Sequence, residues 1–143
     1  MATQLRPDPT FYPTPRLAME APREKFAFVA LLRPDHARPD AIAVVDARPE
    51  STTYGRAVHT VELSAFGDEL HHFGWNACSS MLCPTNGHPF TERRYLIVPG
   101  MRSSRLYIVD TKPDPTQARV VKVIEPEEMM RKTGYSRPHT VHC

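Results

Sequence analysis

Proline limits what this chain can fold into more than any other residue type. Fifteen of its 143 residues are proline, and many of them separate short runs of β-branched or aromatic residues. Proline fixes φ and removes a backbone hydrogen-bond donor, so it interrupts long helices and central strands. The chain is therefore predicted to be all-β, with many short strands separated by turns.

The charged residues are mixed along the chain rather than clustered. They make up 24% of the sequence, with a formal net charge of +2. Because phosphate binding requires a concentrated basic patch, this pattern argues against a role on nucleic acid or on a membrane surface. No stretch has the length of a membrane span, and the N-terminus lacks a secretory signal, so a cytoplasmic location is predicted. In that reducing compartment Cys78, Cys83 and Cys143 are expected to be free thiols.

Six predicted strands form two similar triplets that follow an irregular N-terminal arm, residues 1–24. The middle segments of the triplets, IAVVDARP and LYIVDTKP, both give an apolar strand that ends in Val-Asp and precedes a basic residue and proline. Repeated antiparallel triplets are typical of β-propeller blades. Two unrelated meanders in one sandwich are the alternative. The predicted strands are residues 25–32, 41–47, 56–63, 94–100, 105–111 and 118–125.

Two triplets amount to about two blades, whereas a propeller needs roughly four to eight blades to close around its axis. An open set of blades would expose apolar sheet faces and unpaired strand edges. Residues 25–143 are therefore predicted to be the N-terminal blades of a longer polypeptide that is truncated at its C-terminus.

Two pairs of histidines lie where new strands are expected to begin, namely His71 with His72 and His139 with His142. The first strand of each propeller blade begins near the axis, so the two pairs could converge there. Imidazole groups suit copper, zinc, iron or nickel. Adjacent histidines on a regular strand point to opposite faces, so a shared ion requires a bend, which is predicted at Gly74. A hydrogen-bonded loop without metal is the alternative.

Four other residues of this region have predicted roles. Asp68 and Glu69 are expected to hold the far ring nitrogens of the histidines, as partners behind a metal site. Cys78 either binds a soft ion or a thiol, or is a small buried residue. Trp75 is predicted to anchor the loop by packing.

The remaining histidines and two arginines are expected to lie outside such a site. His36 and His88 fall in turns and should be solvated, whereas His59 alternates with apolar residues and should lie on a strand face. Arg102 and Arg105 lie either near an anion or in a solvated turn.

The same motifs resemble the selenium-binding protein family, whose members include methanethiol oxidases. The similarity covers DELHHFGWNACSS (68–80) and HTVHC (139–143), together with TPRLAMEAPREK, SSRLYIVD and VVKVIEPEE. The resemblance implies a seven-bladed propeller with a copper centre near its axis. It assigns catalytic and copper-binding roles to His71 and His72, and a further ligand to His139, with His142 as the second choice.

The activity that the resemblance implies converts methanethiol, oxygen and water to formaldehyde, hydrogen sulfide and hydrogen peroxide. The alternative is a non-catalytic carrier that binds selenium or thiols through Cys78 and Cys143. Some family members have a cysteine proposed to hold selenium where this chain has Gly55, so that route is in doubt here. The isolated 143 residues are expected to be inactive, because a further histidine is expected from the rest of the longer proteins.

Overall fold

Two antiparallel sheets form the framework of the described chain. The computed structural model describes residues 14–76 and 93–141. The first sheet consists, in order, of β1 (Phe26–Leu31), β2 (Pro39–Asp46) and β3 (Ala57–Phe66). The second consists of β4 (Gly74–Trp75), β5 (Tyr95–Gly100), β6 (Arg105–Asp110) and β7 (Arg119–Ile124). The predicted all-β class and both triplets are confirmed.

A very short first strand distinguishes the second sheet from the first. Gly74 pairs with Ile97 and Trp75 with Leu96, so β4 extends the second triplet to four strands. The Oδ1 atom of Asn76 accepts hydrogen bonds from the backbone N–H groups of Arg94 and Tyr95, at 3.1 and 2.9 Å. These bonds join the end of β4 to the start of β5.

Helices occupy two places where the sequence analysis predicted none. The helix α1 (Pro15–Glu20) lies in the arm that was expected to be irregular, and α2 (Pro126–Thr133) follows β7. Signals for α2 were present in EPEEMMRKTG. Proline begins the helix, acidic residues occupy its first turn and basic residues its last, and Gly134 ends it at φ 74°. Within the described residues, neither helix is long and apolar enough to cross a membrane.

The core lies between the two sheets. Ile42 and Val44 of β2 belong to the same core cluster as Leu96 and Val98 of β5, and all four are no more than 1% exposed. The largest fully buried side chain is Tyr107 of β6. Burial of these apolar groups is the main favourable contribution to folding, at about 1.5–3 kcal/mol for each large side chain. The stacked sheets therefore hold the loops between them in fixed positions.

The Val-Asp pair shared by the two triplets ends the central strand of each sheet. Asp46 accepts hydrogen bonds from Nε and Nη2 of Arg48, at 3.0 and 2.8 Å, and from the Ser51 hydroxyl at 2.6 Å. Asp110 accepts from Nε and Nη2 of Arg94, at 2.8 and 2.7 Å. The arginine lowers the pKa of each aspartate, and that of Asp110 falls to about 2. In both copies the aspartate of the repeated motif is thus buried and paired with a partly exposed arginine.

Substitution of Asp110 by asparagine is expected to make the protein less sensitive to acid. Because the folded pKa of Asp110 is depressed, its carboxylate stabilises the fold above pH 4, and this contribution is lost as the pH falls from about 4 to about 2. Arg94 is 38% exposed, so solvent screening limits the effect to about 1 kcal/mol. Urea unfolding at several pH values measures it. Asp35→Asn, at an exposed turn, is the control, and equal pH slopes for Asp110→Asn and the wild type would contradict the prediction.

Candidate metal centre

Three exposed histidines meet at one place although they come from distant parts of the sequence. One ring nitrogen from each of His71, His72 and His139 lies within 4.8 Å of the others. The ring centroids of His71 and His139 are 4.6 Å apart, and those of His72 and His139 are 5.1 Å apart. We refer to these three residues as the histidine cluster. His142, the other predicted ligand, lies outside the described residues.

The bend that lets both adjacent histidines face the cluster occurs before the pair. Glu69 has a φ of 59°, in the left-handed region, and Leu70 forms an isolated bridge to Gly100 at the end of β5. The predicted bend at Gly74 is wrong, because Gly74 begins β4 as an ordinary strand residue. Its lack of a side chain serves close packing instead, since a Cβ there would lie 3.2 Å from the carbonyl oxygen of Val141.

Three contacts of the returning backbone place His139 beside the pair. The N–H of Arg137 donates to the Ser104 hydroxyl at 2.9 Å, which ties the returning chain to the turn between β5 and β6. Further along, Thr140 forms a parallel bridge with His72, and the N–H of Val141 donates to the His72 carbonyl at 3.1 Å. The segment that follows α2 therefore runs alongside the start of β4.

Glu69 contacts the cluster directly. Its Oε1 atom lies 3.1 Å from Nε2 of His71, and its other oxygen is paired with Nε of Arg102. These two partners, His71 first, lower the pKa of the Glu69 carboxyl. Glu69 therefore stays ionised near neutral pH, and it can hold a proton on Nε2 of His71.

Asp68 has a different position from the one predicted for it. Its carboxylate is fully buried and accepts hydrogen bonds from the Tyr107 hydroxyl at 2.7 Å and from the Ser103 N–H at 3.2 Å. Burial is the main reason that the pKa of Tyr107 rises to about 12. The predicted contact between Asp68 and a histidine ring is therefore wrong for the described part of the chain. The carboxylate instead fixes the turn between β5 and β6, from which Arg102 reaches Glu69.

The other histidines lie apart from the cluster. His59, on β3, places its Nε2 atom 2.7 Å from the carbonyl oxygen of Ala118, and is thus a strand-face residue. His36 is exposed in the turn before β2, with its ring against Gly67. His88 lies outside the described residues, as do all three cysteines, Cys78, Cys83 and Cys143.

The tryptophan and the two arginines have identified partners. Trp75, predicted to anchor the loop, lies in β4 and packs edge to face against Phe28 of β1, with ring centroids 5.6 Å apart, so it joins one sheet to the other. Arg102 pairs with Glu69, and Arg105 with Glu125 at 2.9 Å. Both arginines are thus engaged by carboxylates.

The geometry of the cluster suits one small metal ion. An ion bound 2.0–2.1 Å from each imidazole nitrogen requires those nitrogens to be no more than roughly 4 Å apart. The three nitrogens lie up to 4.8 Å from one another, which exceeds this separation by less than 1 Å. Rotations of exposed side chains can close such a gap, and three imidazoles leave room for a further ligand or a substrate.

A three-stranded and a four-stranded antiparallel sheet that share one core, with histidines before the first strand of the second sheet, are the architecture of a segment of a β-propeller protein. The family described as 56kDa selenium binding protein (SBP56) matches residues 5–143. The chain belongs to this selenium-binding protein family.

Individual relatives agree with this assignment. The chain is 46% identical to "Selenium-binding protein 2" of Arabidopsis thaliana and 40% identical to "Methanethiol oxidase" of Danio rerio. Each match covers 92% of this chain, and 27% and 28% of those proteins. A solved structure of a hypothetical selenium-binding protein from Sulfolobus tokodaii is 62% identical, with a TM-score of 0.88 over 95% of this chain and 30% of that one. The chain thus spans under a third of the length of these relatives.

Proposed function

We propose that this chain contributes three histidine ligands to a copper centre that oxidises methanethiol. The observation that carries the proposal is the convergence of His71, His72 and His139, whose nitrogens lie within 4.8 Å of one another. Relatives named methanethiol oxidase, such as those of Danio rerio and Xenopus laevis, support the choice of reaction. The reaction combines methanethiol with one O2 and one water, and yields formaldehyde, hydrogen sulfide and hydrogen peroxide.

Copper would suit this reaction because it can relay to oxygen the two electrons lost by the methyl carbon of the substrate, and because a bound cation favours the thiolate over the thiol. His71, His72 and His139 would hold the ion as neutral imidazoles. Zinc would fit the nitrogen donors but has no redox chemistry.

The residues around the cluster would determine which ring nitrogen of a histidine binds the ion. Glu69 contacts Nε2 of His71, so Nδ1 is the nitrogen left for an ion. The Thr140 hydroxyl lies 3.0 Å from Nδ1 of His139, which leaves Nε2 of that ring. Arg102 keeps the Glu69 carboxylate charged and in place. These contacts would orient two of the three rings before an ion arrives, which reduces the entropy lost on binding.

A chimaera tests the activity. This chain would replace the matching segment of the Danio rerio methanethiol oxidase, and folding would be verified by circular dichroism. The copper-loaded chimaera is expected to consume methanethiol and O2 in equal amounts and to form hydrogen peroxide. His71→Ala and His72→Ala should abolish turnover, whereas His36→Ala should preserve it. A folded, copper-loaded chimaera without turnover, beside an active parent enzyme, would refute the proposal.

Selenium or thiol binding without catalysis is the second candidate, favoured by the name that the Arabidopsis thaliana relatives carry. It would use Cys78 and Cys143, which lie outside the described residues. The position of Gly55 carries no thiol and lies in an exposed turn at φ 72°. Selenite binding that survives replacement of all three cysteines by serine would exclude this candidate. The predicted cytoplasmic location remains a prediction.

A further inference from the structure

A cavity lies next to the histidine cluster, and its lining residues differ in chemistry from the cluster. It has a volume of about 400 Å³, and Glu69 and Arg102 form the wall nearest to His71. The opposite wall is the turn between β1 and β2, which contributes Arg33 and His36. This volume lies at the lower end of the range for small-molecule sites. We call this cavity the Arg33 pocket.

Arg33 lines the pocket without an ion pair to either of the pocket's two carboxylates, Asp40 and Glu69. Its Nε atom is buried and makes no hydrogen bond within the described residues. By contrast, Arg48, Arg94 and Arg105 each pair with a carboxylate. A buried donor without an acceptor is destabilising, and in a native protein it commonly marks a place where a water, an ion or a ligand binds.

The acidic residues of the pocket are already engaged by other groups. Asp40 is buried, and its two oxygens accept hydrogen bonds from the backbone N–H groups of Arg33 and Glu69, both at 2.8 Å. Glu69 is held by His71 and Arg102. Neither carboxylate accepts a hydrogen bond from the Arg33 side chain. Asp40 instead joins the two walls of the pocket through their backbones, and so fixes the backbone position of Arg33.

We propose that the Arg33 pocket binds a small oxyanion, with the Arg33 guanidinium as its main donor. Guanidinium groups match oxyanions through several parallel N–H···O bonds, and such charge-assisted bonds are stronger than neutral ones. Arg102 and His36 border the same cavity and offer further N–H donors at its rim. The inference goes beyond copper binding and does not require it, because none of the three residues of the histidine cluster lines the pocket.

Titration of the metal-free chain with sodium sulfate tests the proposal, with sodium chloride keeping the ionic strength constant. Calorimetry is expected to show saturable binding of one sulfate per chain. Arg33→Gln should weaken binding by about tenfold or more, since it removes a charge-assisted hydrogen bond. Arg38→Gln is the matched control, because Arg38 lies in the same turn, is 62% exposed and pairs with Glu62. It should leave sulfate affinity unchanged.

Thermal unfolding separates binding from a structural role. Without sulfate, Arg33→Gln should match or exceed the melting temperature of the wild type, because it removes an unpaired charge. Sulfate should raise the melting temperature of the wild type and of Arg38→Gln, but not that of Arg33→Gln. Absence of saturable binding, equal affinity in Arg33→Gln, or a lower melting temperature of that variant without sulfate would each overturn the proposal. Because no metal is present, none of these outcomes bears on the copper centre.

Discussion

Replacement of His71, His72 or His139 by alanine is expected to weaken copper binding to the chain by about a hundredfold or more. Loss of a residue that merely supports a metal ligand typically lowers affinity by 10–100-fold, so loss of a ligand should exceed that range. The three substitutions should have similar effects on copper affinity, because the three ring nitrogens all lie within 4.8 Å of one another. Competition with a chelator of known copper affinity measures the change.

His36→Ala provides the control for the histidine variants. This histidine is exposed in the turn before β2, and it is not part of the cluster. Its removal should leave copper affinity unchanged. Equal affinity of His36→Ala and His139→Ala would contradict a three-histidine centre, because it would mean that His139 contributes no more than a surface histidine.

Gly100→Ala is expected to destabilise the fold by about 3 kcal/mol, near the upper end of the costs of overpacking. An ideal Cβ at Gly100 would lie 2.2 Å from Oδ1 of Asp68, so the carboxylate would have to move. Movement of the Asp68 carboxylate would break its hydrogen bonds to Tyr107 and Ser103, and would leave its buried charge without these partners. Urea unfolding near neutral pH measures the loss.

Gly55→Ala separates this steric effect from the general cost of replacing glycine. Gly55 has a φ of 72°, and a Cβ there would meet nothing within 4 Å. Gly55→Ala should therefore lose only about 1 kcal/mol of folding stability, which is the cost of holding a residue with a Cβ at a positive φ. If the two variants are equally stable, Asp68 does not pack against Gly100 as described.

Local patterns in the sequence were sufficient to predict the six longer strands but not β4 or the polar contacts between strands. Short β-branched runs between turn residues identified both triplets, and the repeated Val-Asp pair marked equivalent corners. The helix α2 was not predicted, because proline is unfavourable in the interior of a helix. Pro126, however, stands at the first helical position, where proline is favoured.

Long-range contacts explain what could not be predicted of the site. The convergence of His71 with His139 was expected from the repeat and from the family motifs, since each motif was predicted to precede the first strand of a blade. Asp68 was misassigned because its partner, Tyr107, lies 39 residues away on β6. The Arg33 pocket was not predicted for the same reason, as its walls come from segments that meet only after the sheets stack.

The parallel bridge between His72 and Thr140 has a thermodynamic consequence. It joins the chain before β4 to the segment after α2, where Tyr135 is 76% exposed and few side chains are buried. An ion bound by histidines of both segments would cross-link them and close a long loop. Ion binding would therefore oppose local unfolding of the segment after α2. Copper held as proposed would therefore couple copper affinity to the local unfolding of residues 135–141, and a change in either one would alter the other.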